Sequence, residues 1–109
     1  MTKMITQKEI YDFLKANPYE IDVHIGDLED MQGNDYIFLD YLNEEPILRD
    51  NTACYQCIIQ ISVLTKDFEK RKTLVKYIQQ KFLSAPTYSR YDESQYYQAQ
   101  FTFGVIVSG

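Results

Sequence analysis

Between Cys54 and Phe82 the chain reads CYQCIIQISVLTKDFEKRKTLVKYIQQKF, an alternating apolar run that gives way abruptly to a charged run of helical period. Tyr55, Cys57, Ile59, Ile61 and Val63 are apolar while Gln56, Gln60 and Ser62 are polar. That is the period of two expected of a strand with one buried face. Phe68, Leu74, Val75, Ile78 and Phe82 then supply the apolar side of a helix that begins near Thr65 or Asp67, either of which can cap it, and stops before Pro86. One long strand feeding one helix excludes all-α and all-β folds. Ile58 and Leu64 break the alternation, so the second face of this strand is expected to touch another element or another subunit.

The flanking segments complete the pattern. Thr6 to Glu9 reads TQKE, a capping box, with Ile5 and Ile10 placed to staple the helix start and Asn17-Pro18 to end it; the spacing predicts a helix over residues 6–17 with Ile10, Phe13 and Leu14 as its apolar stripe. Tyr19 to Ile25 alternates loosely and predicts a short strand. Gly26 to Asp35 is an acidic loop whose spacing fails a calcium loop, since Met31 and Gln32 fall where a ligand and a glycine are needed. Tyr36 to Leu42, YIFLDYL, reads as a strand, and its near-continuous apolarity predicts a central position. Asn43 to Pro46 reads as a turn, and Ile47 to Arg49 as a short strand or the approach to the long one. Ala85 to Ser94 reads as a loop or an irregular edge arm. From Tyr97 onward Ala99, Phe101, Phe103, Val105 and Val107 alternate with polar residues as a second long half-buried strand.

The expected class is therefore α+β, an antiparallel or mixed sheet of about four to five strands with two helices packed on one face. At 109 residues one domain over 1–109 is expected. The sheet face away from the helices carries Ile58, Gln60, Leu64, Tyr96, Gln98 and Ile106, the candidate subunit interface. Ten Tyr and six Phe without Trp suit strands that are half buried or buried between subunits.

Chemistry is sparsely represented. Cys54 and Cys57 form C-x-x-C, but in a strand positions i and i+3 point to opposite faces about 10 Å apart, too far for a disulfide. A zinc site needs two more ligands, and the chain has one His, His24. No nucleophile elbow, P-loop or glycine-rich dinucleotide turn is present, so neither enzymatic activity nor a cofactor is expected. The net charge of -5 argues against a general duplex-DNA binder. Lys66, Lys70, Arg71, Lys72 and Lys76, interrupted by Asp67 and Glu69, read as the solvated face of a helix. No run is long enough for a membrane span and the first residues lack a signal-peptide core, which predicts a cytosolic chain or part of an assembly built in the cytosol.

The segments IYDFLKANP, YIFLDYL, QISVLTKDFEKRKTLVKYIQQKF and YYQAQFTFGVIV, in this order, resemble the small tail terminator, or tail-completion, proteins of long-tailed phages and prophages, the lambda-type group. The resemblance implies a virion protein at the head-proximal end of the tail. Such a protein is a homo-oligomeric ring, commonly a hexamer, that stops growth of the tail tube and joins it to the head. Its partners would be the major tail tube protein and a head-completion or connector protein, with DNA only as passing cargo. A lumen lined by carboxylates would repel that DNA, and Asp27, Glu29, Asp30, Glu44 and Glu45 are the candidate channel-lining residues. Rival readings are another head-tail connector or minor tail subunit, and a small-ligand-binding regulatory module.

Overall fold

The computed structural model describes residues 4–25, 35–49, 52–91 and 95–108. In chain order the elements are β1 (Met4–Thr6), α1 (Gln7–Lys15), β2 (Val23–Ile25), β3 (Asp35–Arg49), β4 (Thr52–Thr65), α2 (Phe68–Gln79), β5 (Thr87–Tyr91) and β6 (Tyr96–Ser108). The class is α+β, as expected. The strands form one mixed sheet ordered β1-β6-β4-β3-β2, with β5 also pairing β6. The long strands β3, β4 and β6 pair antiparallel, whereas β1 on β6 and β2 on β3 are parallel. The count of six exceeds the expected four to five because β1 and β5 share one edge of β6, β1 at residues 106–108 and β5 at residues 96–100.

Register fixes the faces. Residues directly opposite in an antiparallel pair share a face, so the pairings Leu39–Ile61–Phe101 and Ile37–Val63–Ala99 put odd positions of β3, β4 and β6 together. Both helices cover that face: Ile10 and Leu14 of α1 and Leu74, Val75 and Ile78 of α2 join those strand residues in one buried core. Phe13 and Tyr77 stack at 4.5 Å, and the Tyr77 hydroxyl donates to the Phe13 carbonyl, which locks α1 to α2. Phe82 closes the layer against Phe103 at 4.9 Å.

Local chemistry accounts for the helix ends. The Glu9 N–H donates to Thr6 Oγ1 at 3.1 Å, while the Thr6 hydroxyl turns to the Glu9 carboxylate at 3.3 Å. Helix α1 ends at Lys15, short of the expected residue 17, because the buried Asn17 side chain takes over its last turn. Asn17 Nδ2 donates to the carbonyls of Leu14 at 2.9 Å and Ile21 at 2.8 Å, and its Oδ1 accepts from the N–H groups of Tyr19 at 3.1 Å and Ile21 at 3.0 Å. At the strand-to-helix junction Asp67, not Thr65, caps α2, accepting from the N–H groups of Glu69 and Lys70. Thr65 is instead the buried last residue of β4. Its hydroxyl donates to Asp35 and accepts from the Asp67 N–H at 3.1 Å, while Lys70 pairs with Asp35 at 3.1 Å. Three elements are thereby tied at one point.

Three expectations are corrected. Asn43 to Pro46 is not a turn: β3 runs through it, and the register shift between Leu42 and Glu45 sets two residues against Cys57 in a β-bulge. Asn43 absorbs the extra residue at φ 51, a conformation asparagine tolerates. The strand β3 is interior over its apolar run, as expected, with β2 paired to residues 37–39 on one side and β4 on the other. Its apolar run reflects burial of residues 36–39 on both faces, and β4 lies between β3 and β6. Tyr55, expected in the core, is 44% exposed because it lies on the part of the β3–β4 hairpin beyond the helices. Phe68 is also 44% exposed, held at the helix start by the Tyr97 ring at 5.5 Å. Cys54 and Cys57 are free thiols, both buried, with Cys57 in the helix-covered core.

Replacing the fully satisfied Asn17 leaves buried backbone groups without partners. Asn17→Ala is expected to lower the unfolding free energy by about 2–3 kcal/mol in urea denaturation, far more than the exposed neighbour substitution Lys15→Ala.

Candidate functional site

The face opposite the helices is built by the even positions of β4 and β6. Register sets Ile58 against Gly104, Gln60 against Thr102, Leu64 against Gln98, and Gln56 against Ile106. Ile58, Gln60, Leu64, Tyr96, Gln98 and Ile106 therefore share one face of the sheet, all half-buried. They do not form a uniform surface.

At one end the chain covers this face with its own aromatic group. Tyr36 and Phe38 are buried there at 3% and 9% exposure, with ring centroids 6.0 Å apart. His24 of β2 lies 5.6 Å from Phe38, and Tyr96 lies 6.0 Å from Tyr36. Burial, together with a hydrogen bond to Tyr96, raises the Tyr36 pKa. Lys66 stands 5.3 Å over the Tyr96 ring, and Leu64 is the β4 residue opposite Tyr36. Gln98 is also engaged, its Oε1 accepting from the Tyr91 hydroxyl at 2.7 Å. His24 is thus an aromatic-packed strand residue.

The other end is open. Gly104 leaves the surface beside Ile58 clear, since a Cβ there would meet only the Cys57 carbonyl, at 4.0 Å. A shallow depression of about 470 Å³ lies at this end, lined in part by Ile58, Gly104, Gln56, Asn43, Glu44 and Glu45. The bulge makes it by turning Glu44 and Glu45 outward, where both are exposed. The other candidate channel-lining residues, Asp27, Glu29 and Asp30, lie outside the described residues. Tyr41 sits beneath the same end, its hydroxyl buried without a hydrogen-bond partner. Burial, with smaller contributions from Cys57 and Glu44, pushes its pKa up to about 12.

Beyond the bulge the β3–β4 hairpin continues as an arm. The molecule is 48 Å long against 28 and 22 Å across. Leu48 on this arm is 73% exposed and Tyr55 44%. Neither was legible as surface, because apolar alternation does not reveal where the covering helices stop. At the opposite edge every residue of β5 is exposed, including Tyr88 and Tyr91. This strand is held by Arg71, whose guanidinium lies 4.7, 5.0 and 5.3 Å from the rings of Tyr88, Phe68 and Tyr97. Charge divides the same way, and here the sequence does carry the signal. Residues 16–48 contain nine carboxylates and no Lys or Arg, whereas residues 66–90 contain seven Lys or Arg and two carboxylates.

Among the described residues no group of three His, Cys, Asp or Glu is placed to hold a metal ion, and no helix is long and apolar enough to cross a membrane. The arrangement offers contact surfaces: an open sheet end, an apolar arm and two edges of opposite charge.

No family model matches the chain, and no curated protein matches its sequence. Its fold is similar to that of a chain in a solved structure described as the virion of a native gene transfer agent (GTA) particle, with a TM-score of 0.65 over 92% of each chain and 14% identity. At that identity the likeness is one of fold.

Removing the unpartnered Tyr41 hydroxyl is expected to be neutral or stabilising by up to about 1 kcal/mol, since Tyr41→Phe deletes a buried polar atom that makes no bond. The raised pKa adds a pH signature. The unfolded chain loses the Tyr41 proton near pH 10.0 and the folded chain only near 12, so stability present below pH 10 falls as pH rises between them. Alkaline melting curves should show a shallower decline in Tyr41→Phe than in the wild type.

Proposed function

We propose that this chain is a structural subunit of a phage-like particle and acts as a tail terminator. In this reading it assembles as a ring, through complementary surfaces rather than chemistry, on the head-proximal end of the tail tube. One side of the ring meets the last ring of the major tail tube protein and stops its polymerisation. The other side offers the surface to which a head-completion or connector protein joins, and DNA passes through the lumen. The observation that supports the reading is the likeness of fold to a virion chain over 92% of both chains. It agrees with the resemblance of the four sequence segments to tail terminators. A lumen that repels phosphate is the role proposed for Asp27, Glu29 and Asp30, whereas Glu44 and Glu45 border the depression beside Ile58 and are assigned to the contact between subunits.

Of the candidate interface residues, Ile58 is the one beside the open depression, whereas Leu64, Tyr96 and Gln98 are engaged within the chain. Contact with other subunits is accordingly assigned first to the Ile58 and Ile106 end of the face, with Gln60 at its margin.

Tail tubes assembled without the protein should acquire uniform ends and stop lengthening when it is added, as seen by electron microscopy. Tubes that keep growing without an end structure sink the terminator reading, and binding to the connector alone favours a head-tail connector. In sedimentation velocity Ile58→Asp should weaken self-association with its melting transition retained, while Leu64→Asp, opposite Tyr36, should lower the transition itself.

A further inference from the structure

We infer that neighbouring copies of this chain meet edge to edge and head to tail, with the acidic β3 edge and hairpin arm of one copy seated on the basic α2–β5 edge of the next. This rests on the ring reading and extends the contact at Ile58, whose depression Glu44 and Glu45 line, to the edges of the sheet.

The charge distribution selects the pairing. Glu20, Asp22, Asp40, Glu44 and Glu45 are exposed along the β2–β3 side, where no Lys or Arg occurs between residues 16 and 48. Asp35 is neutralised by Lys70 and does not count toward this surface. On the other side Lys72 and Lys76 are exposed on α2, Lys72 with Glu69 at 3.8 Å. Strands β4 and β6 separate β3 from β5, and Arg71, 4.7 Å from the Tyr88 ring, sets the first turn of α2 on the β5 side, so the two charged segments flank opposite edges of the sheet. Two copies meeting by the same edge would bring like charges together. Meeting by unlike edges pairs them, and a contact between unlike surfaces is the kind that propagates around a ring.

Apolar surface is placed to match. Leu48 and Tyr55 stand out on the arm, and Tyr88 and Tyr91 on β5, each at least 44% exposed. Aromatic and aliphatic groups of this kind form the centre of protein interfaces, with charges at the rim. The contact is made by side chains more than by strand addition, because Pro46 and the bulge interrupt the donor row of the β3 edge.

A charge-exchange experiment on the full chain tests this. Glu44→Lys with Glu45→Lys makes both edges basic, and Lys72→Glu with Lys76→Glu makes both acidic; all four positions are exposed, and circular dichroism melting confirms that each variant folds. In sedimentation velocity and native mass spectrometry each variant alone should self-associate at least about tenfold more weakly than the wild type. An equimolar mixture should recover oligomers larger than dimers that contain both variants. Variants that assemble as well as the wild type, or a mixture that recovers nothing, overturn the edge contact while leaving tube capping by the wild type intact. A wild-type chain that is monomeric in solution and on tubes overturns the contact and the ring reading together.

Discussion

The structure depends on β4 being paired along its length on both sides. From Cys54 to Thr65 it is hydrogen-bonded to β6, and over most of the same span to β3. A strand with two ladders cannot slip by one residue without turning every side chain to the wrong face. That constraint orients Ile59, Ile61 and Val63 toward the helices and, through the register, does the same for Ile37, Leu39, Ala99 and Phe101. Once the strand direction is set, the Asp35, Thr65 and Lys70 junction launches α2 back across the sheet it came from.

The two faces then have different fates. The helix-covered face is finished by the chain itself, with Tyr77 and Phe13 closing the gap between α1 and α2. The opposite face is finished only at the Tyr36 end, where His24, Phe38 and Tyr96 cover it. At the bulge end the covering stops, and the hairpin runs on past both layers. Only its tip, where Leu48 and Arg49 face Ala53 and Thr52, extends past β6 as a two-stranded ribbon, with too little surface around it to bury its own apolar side chains. Leu48 is left to solvent for that reason, whereas Tyr55, flanked by Pro46 and Val107, is exposed within the sheet.

Much of the fold was legible because its signals are local. The alternation from Tyr55 to Val63 and from Ala99 to Val107, the caps at Thr6 and Asp67, and the stop at Asn17-Pro18 all act over a few residues. The grouping of Ile58, Gln60, Leu64, Tyr96, Gln98 and Ile106 on one face was legible too, because alternation in two long strands fixes their parity. Their unequal exposure was not. It depends on Tyr36 and Phe38 arriving from β3, and the apolar run YIFLDYL, which marks an interior strand, does not tell which side chains cover its second face.

By itself the amino-acid sequence determined an α+β chain with one strand-to-helix unit, two long half-buried strands, capped helices and an acidic first half against a basic second segment. These follow from sterics, capping hydrogen bonds and composition, which act without regard to distant neighbours. Only the tertiary structure decided that Asn43 to Pro46 is a bulge within one long strand, that Tyr55 is surface, and that β3 and β5 lie on opposite sides of β4 and β6. Those outcomes depend on which elements reach which part of the sheet, and helix length and strand order set that reach rather than the pattern of any one segment.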